Sequence, residues 1–159
     1  MDPSTFEAAA STLIAATPEQ LYAFIADMPR MGEVSPECTG GTWDGDARGV
    51  GALFIGTNKA GDRTWQRRIR VTVADPPREF AWENLGDAAA PLDPDAVGAA
   101  RWGYTFRAVD GGTVVDESWR LLDHPRLREL GEERLHQLRD RNRAGMEQTL
   151  ARLKELVEA

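Results

Sequence analysis

Cysteine, histidine and long apolar runs are scarce in this chain, and each scarcity closes off a class of function. Cys38 is the single cysteine among 159 residues. No internal disulfide can form, and a reducing compartment is the expectation. With no base partner in the sequence, Cys38 reads as a partly buried structural thiol. The two histidines are His124, in a "DHP" turn, and His136, on the polar side of the last helix. Neither has a partner at metal-ligand spacing, so no metal site is expected, and nothing in the sequence asks for a cofactor. No apolar run approaches the roughly 18 residues of a membrane span. The opening "MDPSTFEAAAS" has neither the basic nor the apolar region of a secretory leader. A cytoplasmic location without membrane insertion is therefore expected. Net charge is −7 and the basic residues are dispersed, which argues against a nucleic-acid partner. Phosphate loops and nucleophile elbows are absent.

What is present is the composition of a globular protein, 42% hydrophobic and 28% charged, in one expected domain over residues 1–159. A strand is expected near Glu7 to Ile14. "TPEQ" then supplies a Thr17 N-cap, a proline at the first helical position and Gln20 three residues after the cap. Leu21, Phe24, Ile25 and Met28 follow at helical spacing, and "MPRMGEVSPE" ends this helix and holds one more short turn. From Gly40 to Leu121, "GGTWD", "VGALFIGTN", "RTWQRRIRVTVAD", "REFAWENL", "ARWGYTFRAV" and "TVVDESWRLL" read as six strands separated by Gly, Pro and Asp signals. Meander connections imply an antiparallel sheet with one face buried. A last helix is expected from about Glu129 to Glu158. Leu135, Leu138, Met146, Leu150, Leu153, Leu156 and Val157 form one stripe on it, joined by Asn142, Gly145 and Thr149.

Alternation assigns faces. In "TWQRRIRVTV", Trp65, Arg67, Ile69, Val71 and Val73 share one face. Gln66, Arg68, Arg70 and Thr72 form a water-facing set. "RWGYTFR" places Trp102, Tyr104 and Phe106 opposite Arg101, Thr105 and Arg107, and "VDESW" places Glu117 beside Trp119. The apolar face thus carries two opposite charges, Arg67 and Glu117, and burying either alone is costly. Three resolutions are open: an ion pair between them, contact with water, or a polar group on a ligand.

The segments "TPEQLYAFIADMPRMGEVSPE", "VGALFIGTN", "TWQRRIRV", "PPREFAWE", "RWGYTF", "GGTVVDESW" and "GMEQTLARLKELVE" together resemble the START-like, or SRPBCC (Bet v1-like), superfamily. They are most similar to its polyketide cyclase/dehydrase and lipid-transport branch. The resemblance implies an α+β helix-grip fold. A curved seven-stranded antiparallel sheet would wrap around a long C-terminal helix, with two short helices after the first strand and a cavity between sheet and helix. One departure is Val34 in Gly32-Glu33-Val34-Ser35-Pro36, where such proteins often carry tryptophan. The loss either widens the cavity or is repacked.

The side chains placed to line the cavity are Phe54, Trp65, Arg67, Trp82, Trp102, Tyr104, Glu117 and Trp119 on the sheet. Asn142, Met146 and Thr149 join them from the helix. For Phe80 and Phe106, plain core packing is the stronger reading. A mostly apolar pocket with a few placed polar groups suits a hydrophobic small molecule, aromatic or polyketide-like. The expected function is binding or transport of such a ligand, and antibiotic self-resistance by sequestration belongs to that class. The alternative is a polyketide aromatase/cyclase, with Glu117, Arg67 and Tyr104 as acid–base candidates. A chaperone-interacting protein ranks third, and no protein partner can be named. The segment 86–100 is long for a hairpin loop and reads equally as a lid over the cavity or a disordered insertion.

Overall fold

A computed structural model describes residues 2–159. Its elements are a 3₁₀ turn (Pro3–Thr5), β1 (Glu7–Ile14), α1 (Pro18–Ala26), a 3₁₀ helix (Met28–Glu33), β2 (Cys38–Asp44), β3 (Leu53–Ala60), β4 (Arg63–Asp75), β5 (Glu79–Asp87), β6 (Ala100–Val109), β7 (Gly112–Leu121), α2 (Pro125–Arg128) and α3 (Glu132–Glu158). The strands form one antiparallel sheet in the order β1-β7-β6-β5-β4-β3-β2. Helix α3 packs chiefly on β1, and the Met28–Glu33 helix packs on β2. This is the helix-grip arrangement the sequence led us to expect.

Local chemistry explains the helix ends. Thr17 Oγ1 accepts from Gln20 N–H while Gln20 Oε1 accepts from Thr17 N–H, a reciprocal cap that starts α1. The last helix begins at Glu132 instead of near Glu129, because Pro125–Arg128 forms a separate turn and Gly131 breaks the two apart. Its buried face is Leu135, Met146, Thr149, Leu150 and Leu153. Leu156 departs from the expected stripe and is 43% exposed. Val157, four residues after Leu153, continues the core-facing row and packs against the core in its place. Lys154 donates to Leu13 O (2.8 Å) and Glu158 accepts from Ala15 N–H (2.9 Å), which pins the end of α3 to the edge strand.

The core divides in two. The larger cluster joins α1, the Met28–Glu33 helix and the middle of the sheet to Leu150 and Leu153. The smaller comprises Phe6, Ala8, Ala100, Trp119, Leu121, Leu127, Leu135 and Met146. Ala10 and Trp102 pack against both. Val34 is fully buried in the larger cluster, so the missing tryptophan is repacked at that position.

Two expectations about β4 need correction. Its pairing with β5 shifts between Val71 and Val73. Thr72 is the extra residue of this bulge, which carries Val73 to the other face and brings Ala74 into the core opposite Phe80. Arg68 and Arg70 lie on the convex face, yet they are half-buried and not simply water-facing. Arg68 Nη1 donates to Ala90 O (3.0 Å), and Arg70 donates to Ala96 O (3.0 Å) and Pro94 O (3.4 Å). The β5–β6 connection is therefore strapped over the outside of the sheet. It is neither a lid on the concave side nor an unanchored insertion. Gly98 lets the strap pass close to β5, since a Cβ there would meet Glu83 Cβ at 2.8 Å.

Candidate functional site

The concave face is organised in cross-strand rows. One runs Ala10–Glu117–Tyr104–Phe80–Ala74, and the next runs Ala8–Trp119–Trp102–Trp82–Val71. Then come Leu121–Ala100–Asn84–Ile69–Phe54, Asp87–Arg67–Gly56–Gly41 and, at the hairpin end, Trp65–Asn58–Cys38. Aromatic rings bind the sheet together both between rows and along them. Trp82 stacks on Tyr104 with centroids 5.9 Å apart, Tyr104 stacks on Phe106 at 6.4 Å, and Trp102 tilts against Trp119 at 6.5 Å. Packing of this kind adds to simple burial.

Glu117 lies within this aromatic ground and is 3% exposed. Its Oε1 has no hydrogen-bond partner among the described residues. Burial pushes its carboxyl up to about 8, and the Tyr104 hydroxyl on the facing strand offsets only part of that shift. A lone carboxyl in an apolar surround avoids the cost of a buried charge by keeping its proton. Tyr104 is itself held well above the usual phenol range, first by burial and then by the neighbouring Glu117. The resulting pair of O–H groups is neutral at pH 7 and can donate to a carbonyl or hydroxyl oxygen.

Of the three resolutions open for Arg67 and Glu117, the ion pair does not form. Their strands, β4 and β7, are three spacings apart, about 14 Å across, and their rows differ by roughly six residues, about 20 Å along. No arginine side chain spans that gap. Arg67 does face the concave side, where its neighbour across β3 is Gly56.

The proposed lining residues thus separate into groups. Trp82, Trp102, Tyr104, Glu117 and Trp119 are neighbours in two adjacent rows. Met146 belongs with Trp119 to the smaller cluster, against which Trp102 packs, and half-buried Asn142 is one turn earlier on α3. Thr149 is buried on the same helix face and donates to Gly145 O (2.9 Å). Phe54 belongs to the larger cluster, edge-on to Trp43 at 5.3 Å. Trp65 is at the projecting end of β4, half-buried, with Arg63 over its ring at 4.5 Å. Gly145 meets only Pro36 Cγ, at 3.8 Å from an added Cβ, so it faces the loop after the 3₁₀ helix and not the sheet.

Asn84 went unnoticed in the sequence although the alternation of Phe80 and Trp82 points to it. It shares the concave face with Ala100 and Ile69. Of two surface concavities, the one of about 420 Å³ is lined by residues of β1, β6 and β7 that include Trp119, with Arg143 of α3, and the one of about 500 Å³ by Tyr22, Trp43, Ala74 and Phe80. Neither is lined by the Trp102–Tyr104–Met146 set. Among the described residues no cluster could hold a metal ion, and no helix is long and apolar enough to cross a membrane.

Comparison with known proteins places this geometry. The family model described as polyketide cyclase / dehydrase and lipid transport matches residues 5–158. The Polyketide_cyc-like protein Cgl2372 from Corynebacterium glutamicum is 31% identical, with 96% of this chain and 91% of that chain covered and a TM-score of 0.66. The di-domain ARO/CYC StfQ from the steffimycin biosynthetic pathway is 16% identical, with a TM-score of 0.74 over 96% of this chain and 50% of its own. Ara h 8.0201 is 14% identical, with a TM-score of 0.60 over 90% of this chain and 93% of its own. At such identities the last two comparisons establish the fold alone. No curated protein matches the chain.

Proposed function

The chain belongs to the polyketide cyclase / dehydrase and lipid transport family, and we propose that it binds a hydrophobic, aromatic or polyketide-like small molecule between the sheet and α3. The observation that carries this reading is Glu117, a buried carboxyl with an unbonded oxygen in an aromatic surround. A ligand oxygen supplies the missing partner, while Trp82, Trp102 and Trp119 supply flat apolar surface. Entry is by parting the two clusters at Trp102, the half-buried ring that packs against both. Native mass spectrometry of the purified protein tests the reading directly. A co-purified small molecule, together with tryptophan quenching by a polycyclic aromatic, is the expected result. Repeated failure of such compounds to quench would overturn it.

A second reading, a cyclase or dehydrase, is favoured by the same carboxyl for a different reason. At about 8 it retains its proton at neutral pH and can deliver it to a substrate carbonyl, with Tyr104 beside it. A binder returns its ligand unchanged. Chromatographic detection of a cyclised or dehydrated product that is lost in Glu117→Gln would establish turnover.

A further inference from the structure

Among the described residues the half-buried arginines are Arg67, Arg68, Arg70, Arg101, Arg139 and Arg152. All but Arg67 bond a carboxylate or a main-chain carbonyl. The nearby acids form no ion pair with Arg67 either. Asp87, its register neighbour on β5, is exposed and accepts from Ala89 N–H (2.9 Å). Glu37, where β2 begins, is paired with Arg141 of α3.

The ground beside Arg67 is also unusual. Its row continues through Gly56 and Gly41, over which the buried Phe54 ring lies. An added Cβ would meet that ring at 2.6 Å from Gly41 and at 3.5 Å from Gly56, so the glycines make room for Phe54, whose ring is the floor beside Arg67. Two residues outward, Trp65 lies on the same face with Arg63 stacked over it. In a protein of net charge −7, this arm of the sheet presents two guanidinium groups and an indole to one side, beside a floor formed by the Phe54 ring.

We propose that Arg67 receives the carboxylate of an elongated amphiphilic ligand whose apolar body runs along the concave face toward Glu117. This rests on the binding function proposed above and adds the ligand's chemical class: an anionic end outside, a neutral polar oxygen inside, and an apolar body between. A guanidinium cannot release its proton, so it remains where water reaches it and pairs with an incoming oxyanion. The inner end offers the opposite preference, since a charge brought beside the buried, protonated Glu117 would find no counter-ion.

Pyrene-dodecanoic acid and its methyl ester share one apolar body and differ at the charged end. Titrated against the full chain by tryptophan quenching at low salt, the acid is expected to bind about tenfold more tightly than the ester. Arg67→Met should bring the two to equal affinity, and Arg67→Lys should retain part of the difference. Arg107→Met, on the exposed convex face, should leave it intact. Thermal melts of each variant check that folding is preserved. Equal binding of acid and ester to the unaltered protein overturns this inference and leaves the binding function standing, as does a preference that survives in Arg67→Met. Binding of neither probe removes both.

Discussion

The two charged side chains on the concave face, Glu117 and Arg67, meet the same difficulty and escape it in opposite ways. Among the described residues neither has an ionic partner. The carboxyl is deep among aromatic rings and sheds its charge by holding a proton. The guanidinium has no accessible neutral form, and it is found three rows outward, only half-buried, beside Gly56. Where an unpaired ionisable group can sit in an apolar sheet is thus set by whether it can become neutral. Burial selects the acid, and the rim retains the base.

The strongest way to break this comparison is to vary pH. Glu117 moves from an ordinary 4.5 to about 8 on folding. The folded state therefore holds a proton that the unfolded chain has lost. The resulting stabilisation is complete below pH 4.5 and disappears as pH rises through 8. Relative to Glu117→Gln, which does not titrate, the protein should lose on the order of 4 kcal/mol between pH 5 and pH 9. Urea melts of both proteins at the two pH values measure this, and parallel losses would refute the neutral-carboxyl account.

Next in size is a contrast between faces. Arg67 and Arg70 are both half-buried on β4, but only Arg70 holds the strap. Arg70→Met should cost about 1–2 kcal/mol and speed proteolysis within residues 88–98. Peptide mapping of limited digests would locate the new cleavage. The smallest effect sharpens the comparison itself. Arg67→Met should change stability by no more than about 0.5 kcal/mol. Combined with Glu117→Leu, its effect should add to within about 0.5 kcal/mol. A larger coupling in denaturant melts would mean that the two groups interact after all.

Much of the fold was legible because each element carries its own period. The Thr17 cap and the strict alternation from Trp102 to Arg107 assign helix and faces without outside help. The aromatic neighbours of Glu117 were legible for the same reason. Distance across the sheet was not. Alternation states which face Arg67 and Glu117 share, but the rows depend on register, and register depends on pairing with other strands. The bulge at Thr72 was hidden likewise, since nothing in "IRVTVAD" separates an extra residue from a regular one. The strap escaped detection because its anchors, Arg68 and Arg70, have the composition of an ordinary solvated face.

The pairing of β1 with β7 joins Glu7 to Arg120 and Ile14 to Thr113, so the first strand made is among the last to find its place. Until the chain has been synthesised past Leu121, β1 has no strand to pair with, and α3, which pins its far end through Lys154 and Glu158, follows later still. Closing so long a loop must precede any reward from its contacts, which places this protein among the slower-folding topologies, on a timescale of roughly milliseconds to seconds. During that wait the apolar concave side lacks Leu150 and Leu153 of α3, which complete its core in the folded chain.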